Sequence, residues 1–480
     1  MRKGLIVLLV AAVAVAFALP AMADVTPKNL NVSGFYRAKA WVSNFDGQSG
    51  SPSQGSLATD PATAAFVEQR ARVKFDFGTE NVKAVWFLES DMLWGDSSCA
   101  VARNQGGALS GDSIQIETKN LYLWFKVPDT SVDVTVGLQS QSDDYAGVLY
   151  GGADLAGIYV TGKFEPVTYK LGWAKLYENA TNKADDATLY VAQVKFVPAK
   201  DISIGLNLDV LQDDTGTNPA NTKINPTDDS ATTPATWPNA NYKLMLYTPG
   251  VSATFKAGPA TLSGFAFYQW GKFEGFIPAN PDVDVRAYGL DLRADMNAGP
   301  AKVFFEGLYL SGGDSDDKYE APIGLGDYQG TGTGTGGNSS NTRTRMQIML
   351  ASWDTINVSQ CIVGCSGGEY GDSLGLQGRG LWHIAAGASM DVTPKVKIEG
   401  NIGYLAAVKL QQGESYRDKD IGTEVNAGLS YNIAKGLDVG VYGAYMWLGG
   451  FVKDAPTPPA TSSTDFKDPW TSYARINYAF

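Results

Sequence analysis

The 480-residue chain contains little of what most enzymes and metalloproteins need. It has three cysteines and one histidine. So few cysteines exclude a scaffold held together by disulfides, and a single histidine argues against a multi-histidine metal site. Lysine and arginine (38) are outnumbered by aspartate and glutamate (50), which gives a net charge of −12. This charge argues against nucleic acid as a partner.

Long apolar runs are also scarce, because only residues 5–20 are continuously apolar. A bundle of membrane helices is therefore excluded, since each spanning helix needs roughly 20 such residues. Arg2 and Lys3 precede this run and the sequence Ala21-Met22-Ala23 follows it. This arrangement predicts a secretory signal peptide over residues 1–23, with an uncleaved anchor helix as the alternative. Residues 24–480 are then either soluble or a closed β-barrel in a membrane.

The remaining sequence alternates with a period of two, which is typical of strands with two different faces. In residues 66–77 one face is charged and the other is mostly apolar. The charged face holds Glu68, Arg70, Arg72, Lys74 and Asp76, and the other face holds Gln69, Ala71, Val73, Phe75 and Phe77. The same pattern predicts eight hairpins with short turns, an opening strand over residues 30–42 and a closing strand over residues 470–480.

Short turns alternate strictly with connections that are longer and rich in Gly, Ser, Thr, Asn and Asp. This alternation is typical of outer-membrane barrels, which have short periplasmic turns and long extracellular loops. We therefore predict an all-β fold, a single transmembrane antiparallel barrel of 18 strands over residues 24–480. Sixteen strands is the alternative, because residues 343–352, inside the longest loop, form an extra segment that could be a short helix or could displace another strand in this count.

The C-terminal strand carries a family resemblance. Tyr478 and the terminal Phe480 share one face, and the ending resembles the C-terminal assembly signal of bacterial outer-membrane barrels. The chain as a whole resembles bacterial porins of the 16- to 18-stranded, general porin-like family. The resemblance implies a location in the Gram-negative outer membrane and assembly as a homotrimer. The expected partners are outer-membrane lipid, lipopolysaccharide and the barrel-assembly machinery.

A more local resemblance concerns the predicted third external loop. Residues 134–139 end in Gly137-Leu138-Gln139, similar to the Gly-x-Gln that precedes the constricting loop of general porins, although Leu138 stands where those porins carry Arg. The resemblance implies that residues 140–154 fold into the pore. We expect the constriction to be lined by basic strand residues (Arg37, Lys39, Arg70, Arg72 and Lys83) facing acidic loop residues (Asp143, Asp144 and Asp154). Alternatively, these charges hydrate the lumen and pair with one another.

Other chemistry finds little support in the sequence. His383, Ser389 and Asp391 share one face, but six strand residues separate His383 from Ser389 by about 20 Å, which excludes a hydrogen-bonded triad. We predict no enzymatic activity, no cofactor and no metal. Cys361 and Cys365 suggest a local disulfide in an oxidising compartment, and Cys99 could pair with either of them.

The predicted function is passive diffusion of small hydrophilic solutes and ions through a water-filled channel. The alternatives are a substrate-specific channel for a sugar, carboxylate or phosphate, and a structural or adhesive barrel. Several tryptophans near strand ends suit interfacial girdles, with lumen packing as the alternative for any one of them: Trp41, Trp94, Trp173, Trp270, Trp447 and Trp470.

Overall fold

A computed structural model of the chain describes most of the predicted barrel. The described residues are 29–44, 64–97, 106–109, 114–178, 181–215, 242–275, 282–313, 318–325, 346–349, 378–410, 418–453 and 467–480. The predicted signal peptide lies outside them, as do Cys99, Cys361 and Cys365.

Eighteen long strands form the wall, and a nineteenth, β14, has two residues. In chain order they are β1 (Asn29–Ser43), β2 (Ala64–Gly78), β3 (Val82–Leu93), β4 (Glu117–Lys126), β5 (Val132–Gln141), β6 (Ala153–Phe164), β7 (Val167–Tyr177), β8 (Ala187–Ala199), β9 (Ile202–Asp213), β10 (Tyr242–Ala257), β11 (Ala260–Gly275), β12 (Val283–Ala298), β13 (Ala301–Leu310), β14 (Lys318–Tyr319), β15 (Leu381–Thr393), β16 (Val396–Ala407), β17 (Asp420–Ala434), β18 (Leu437–Leu448) and β19 (Trp470–Ala479). One helical turn, α1 (Gly450–Lys453), follows β18.

The wall closes on itself because β1 pairs antiparallel with both β2 and β19. Arg37 lies opposite Arg70 on one side and opposite Asn477 on the other. Strand β14 runs parallel to β12, while β13 pairs directly with β15. The prediction of an 18-stranded antiparallel barrel is therefore confirmed. Of the extra segment, residues 346–349 are described, and they are not part of the wall.

The two faces of the wall differ as the alternation predicts. Large apolar side chains project from the outer face, for example Leu292, which is 67% exposed, and Phe305 on the neighbouring strand. Lumen-facing positions carry charged and polar side chains, such as Glu68 and Asp91. A large barrel that is apolar outside and polar inside is the architecture of a Gram-negative outer-membrane, multi-pass protein. No helix in the described ranges is both long enough and apolar enough to span a membrane.

The predicted tryptophan girdle holds for some positions and is wrong for Trp41. Trp94, Trp270 and Trp447 are exposed on the outer face. Trp41 is only 3% exposed, because it shares the lumen face with Lys39 and its indole Nε1 donates a hydrogen bond to Glu68 at 2.8 Å. Glu68 on the neighbouring strand therefore accepts the hydrogen bond of the buried indole N–H inside the barrel.

Closure depends on a glycine at the seam. The Gly34 N–H donates to the Phe480 carbonyl at 3.0 Å and the Phe480 N–H to the Gly34 carbonyl at 3.1 Å. A Cβ at Gly34 would lie 2.2 Å from the Arg72 carbonyl oxygen. We expect Gly34→Ala to destabilise the folded barrel by about 1–3 kcal/mol through overpacking.

The measurement is the heat-modifiable shift of the folded band in gel electrophoresis after urea titration. Gly307→Ala is the matched control, since a Cβ at this outward-facing glycine of β13 meets no atom within 4 Å. Equal urea midpoints for the two variants would contradict the prediction.

Candidate pore constriction

The loop between β5 and β6, residues 142–152, lies inside the barrel. Tyr145 near its tip is fully buried. Its ring centroid lies 5.8 Å from that of Phe265 and 5.1 Å from that of Phe267, two lumen-facing residues of β11. Because β11 is far around the wall from β6, these contacts place the loop across the lumen. We call residues 142–152 the inward loop.

Asp143 gives the inward loop its shape. Its Oδ1 accepts the backbone N–H groups of Tyr145 (2.8 Å) and Gly147 (2.7 Å), and its Oδ2 accepts those of Leu149 (2.7 Å) and Tyr150 (2.8 Å). Burial raises the pKa of Asp143 to about 6, although the four N–H groups act in the opposite direction. Asp143 thus organises its own loop and does not present its carboxylate to the basic strands.

The other two predicted acidic residues also have local partners. Asp144 Oδ2 accepts hydrogen bonds from the Asn207 amide at 3.3 Å and from the Ser252 hydroxyl, which anchors the loop tip to β9 and β10. Asp154 belongs to β6, where it pairs with Ser140 of β5 in the ladder. Its neighbours Ala153 and Leu155 are buried on the lumen face of β6, so Asp154 projects from the outer face. Its carboxylate contacts Lys119 Nζ at 2.7 Å and Asn120 Nδ2 at 2.8 Å.

A second segment supports the inward loop from within the lumen. The Leu325 N–H donates to the Leu149 carbonyl at 2.9 Å. The Gln269 side chain on β11 bonds both backbone groups of Ile323, its Nε2 donating to the carbonyl at 2.9 Å and its Oε1 accepting the N–H at 2.8 Å. The buried Leu149, Ile323 and Phe267 belong to one apolar cluster. The lumen beside β11 is therefore filled by two packed segments.

The five predicted basic residues all face the lumen on β1, β2 and β3. Cross-strand register places Lys39 opposite Glu68, Arg70 opposite Asp91, and Arg72 opposite Glu89. We call the lumen faces of β1, β2 and β3 the charged wall.

Acidic residues of the same wall neutralise part of this charge. Arg70 makes a bidentate pair with Asp91, with Nε–Oδ1 and Nη2–Oδ2 distances of 2.7 and 2.8 Å, and Arg72 pairs with Glu89. The cross-strand register identifies Glu89 as the partner of Arg72. Arg70 and its two acidic neighbours are almost fully buried, so their charges pair within the wall.

Lys39 is also fully buried. Its Nζ lies 4.6 Å from the ring centre of Tyr473 and 5.1 Å from that of Trp41. The basic side chains that remain accessible are Arg37, Arg72 (21% exposed), Lys74 (35% exposed) and Lys83. Phe35 lies between two of them, with its ring centre 5.1 Å from the Arg37 guanidinium and 5.5 Å from that of Arg72.

The remaining predicted positions lie at the periplasmic edge. Tyr478 and Phe480 project from the outer face and are exposed, and their backbone belongs to the β1–β19 seam. Among the described residues, no group of three or more His, Cys, Asp or Glu side chains is arranged to hold a metal ion. The charged wall and the inward loop can act on a solute through width, charge and hydrogen bonding.

Known structures share this fold. No protein-family model and no curated protein matches the sequence. The crystal structure of OccK8 (OprE) from Pseudomonas aeruginosa aligns with a TM-score of 0.52 and 11% identity over 95% of this chain and 98% of that one. OccAB4 from Acinetobacter baumannii aligns with a TM-score of 0.51 and 10% identity over 95% of this chain and 99% of that one. A BenF-like porin from Pseudomonas fluorescens Pf-5 aligns with a TM-score of 0.50 and 10% identity over 95% of this chain and 99% of that one. The chain thus has the porin-like barrel fold of bacterial outer-membrane channels.

The four hydrogen bonds of Asp143 lead to a prediction. Asp143→Asn replaces one acceptor oxygen by an amide that cannot accept the Leu149 or Tyr150 N–H. We expect a looser inward loop, because each buried donor left without a partner costs about 1–3 kcal/mol. Limited proteolysis of the folded barrel measures this change as faster cleavage within residues 142–152.

Asp129→Asn is the matched control, because Asp129 occupies the β4–β5 turn at a φ of 60°, where asparagine is well tolerated. Unchanged cleavage in Asp143→Asn would show that the carboxylate does not hold the loop.

Proposed function

We propose that the protein is an outer-membrane porin through which small hydrophilic solutes and ions diffuse passively. The observation that carries this proposal is the position of the inward loop, which rests on β9, β10 and β11 and leaves Arg37, Arg72, Lys74 and Lys83 accessible on the charged wall. A lumen narrowed on one side and lined with solvated charge on the other suits hydrated polar solutes.

The charged wall favours some solutes over others. Six basic side chains and four acidic ones share the lumen faces of β1, β2 and β3. This local excess of positive charge supports a preference for anions among the solutes that fit. The substrate-specific channel stays the second candidate, because Arg37, Arg72 and Phe35 together offer cationic and aromatic contacts to one solute.

The proposal extends to assembly and export. It includes cleavage of residues 1–23 during export, insertion by the barrel-assembly machinery and contact with lipopolysaccharide. The three-copy assembly implied by the family resemblance belongs to it as well. Transport through such a pore needs neither catalysis nor a cofactor.

Planar-bilayer recording of the purified protein tests this function. Ohmic conductance that no solute saturates supports the general porin. Saturable block by one sugar, carboxylate or phosphate would favour the specific channel. The absence of any conductance would leave the structural or adhesive barrel.

Selectivity gives a sharper prediction. Arg72→Ala removes an accessible positive charge from the charged wall, so we expect the reversal potential in a potassium chloride gradient to shift toward cation preference. Lys163→Ala is the control, because this lysine near the periplasmic turn pairs with the exposed Glu165 at 2.6 Å. If Arg72→Ala gives the wild-type reversal potential, the charged wall does not set selectivity.

A further inference from the structure

A third segment enters the lumen and binds a different part of the wall. Met346, Ile348 and Met349 are fully buried. Their backbone meets Glu424 on the lumen face of β17, whose Oε1 accepts the Gln347 N–H at 2.7 Å and whose Oε2 accepts those of Ile348 (2.9 Å) and Met349 (2.8 Å). We call residues 346–349 the strap.

The chemistry of this contact is that of an anion held by a backbone nest. Three successive N–H groups converge on one carboxylate, which is a recognised way to bind negative charge, and charge-assisted hydrogen bonds are about twice as strong as neutral ones. Asn426 Nδ2 adds a fourth bond at 3.0 Å. Within the described ranges, no lysine or arginine lies within ion-pairing distance of Glu424. The strap backbone and Asn426 therefore supply the polar partners that this fully buried carboxylate requires.

The neighbouring strand β16 is shaped to receive the strap. Gly403 lies opposite Glu424 in the ladder. A Cβ at this position would lie 2.7 Å from Met346 Sδ and 3.0 Å from Nε2 of the buried His383. The glycine thus leaves the space that the Met346 side chain occupies. A polar anchor on β17 and an apolar socket on β16 hold the same four residues.

We infer that Glu424 is a positioning residue that sets the size limit of the channel, because it holds the apolar strap inside the lumen. This inference rests on the proposed function. The inward loop rests on β9, β10 and β11, whereas the strap rests on β16 and β17, so the two narrow the lumen from different sides. The strap packs its buried apolar side chains against the wall, so it occupies part of the lumen and restricts the width of the passage, whereas the charged wall acts on the charge of the solute.

The test compares variants of the full-length protein in planar bilayers and in proteoliposome swelling assays with uncharged sugars of increasing size. Glu424→Ala removes both carboxylate oxygens that accept the N–H groups of the strap. Glu424→Gln removes the negative charge and one of these two acceptor oxygens. We expect both to raise the conductance and to admit larger sugars, because a wider passage conducts more ions and passes larger solutes. Gly403→Val leaves Glu424 intact but fills the Met346 socket, so we expect the same direction of change.

Glu399→Gln is the matched control, since Glu399 faces the lumen from β16 and pairs with Lys397 at 3.1 Å. Heat-modifiable gel migration identifies the variants that fold, and those folded variants are compared. Wild-type conductance and sugar size limit in the folded Glu424 and Gly403 variants would overturn the inference while leaving the channel function intact. An equal rise in Glu399→Gln would also overturn it, and a silent wild-type protein would instead contradict the proposed function.

Discussion

The barrel depends on one constraint, which is that no backbone N–H or C=O group of the wall can be left unpaired against lipid. An unsatisfied peptide group in an apolar medium costs several kcal/mol, so the first and last strands must meet. The reciprocal bonds between Gly34 and Phe480 complete that ring. They also fix the register at the seam, so that Arg475 of β19, Lys39 of β1 and Glu68 of β2 lie side by side on the lumen face.

Closing eighteen strands creates a lumen too wide for wall side chains to fill. Chain segments enter it, and their backbone groups then face the same constraint as the wall. The solution is the same in three places, where a side chain replaces the missing neighbouring strand. Asp143 accepts four N–H groups of the inward loop, Gln269 bonds both groups of Ile323, and Glu424 accepts three N–H groups of the strap. Buried carboxylates and amides in this barrel therefore hold the segments that shape the lumen.

The wall was predictable from the sequence because period-two alternation and register constrain each other. The opening strand, expected at residues 30–42, spans Asn29–Ser43, and parity placed Arg37 and Lys83 inside the barrel. The lumen contents were less predictable, because loops have no such period. Nothing in the sequence signals that Asp143 accepts hydrogen bonds from the backbone of four of the next seven residues. Asp154 was expected in the loop but belongs to β6. The alternation of that strand therefore directs its side chain to the outer face and not into the pore.

The charge of the chain and the charge of the pore have different signs for a physical reason. The whole chain carries −12, yet β1, β2 and β3 present six basic and four acidic side chains to the lumen. The acidic residues that pair with Arg70 and Arg72 come from the adjacent strand at the same level, so the field they produce runs largely along the wall. The charge that acts across the passage is then the net excess of the six basic over the four acidic side chains of these strands. A solute in the lumen responds to that excess, because screening over a Debye length of about 8 Å removes the more distant loop charges.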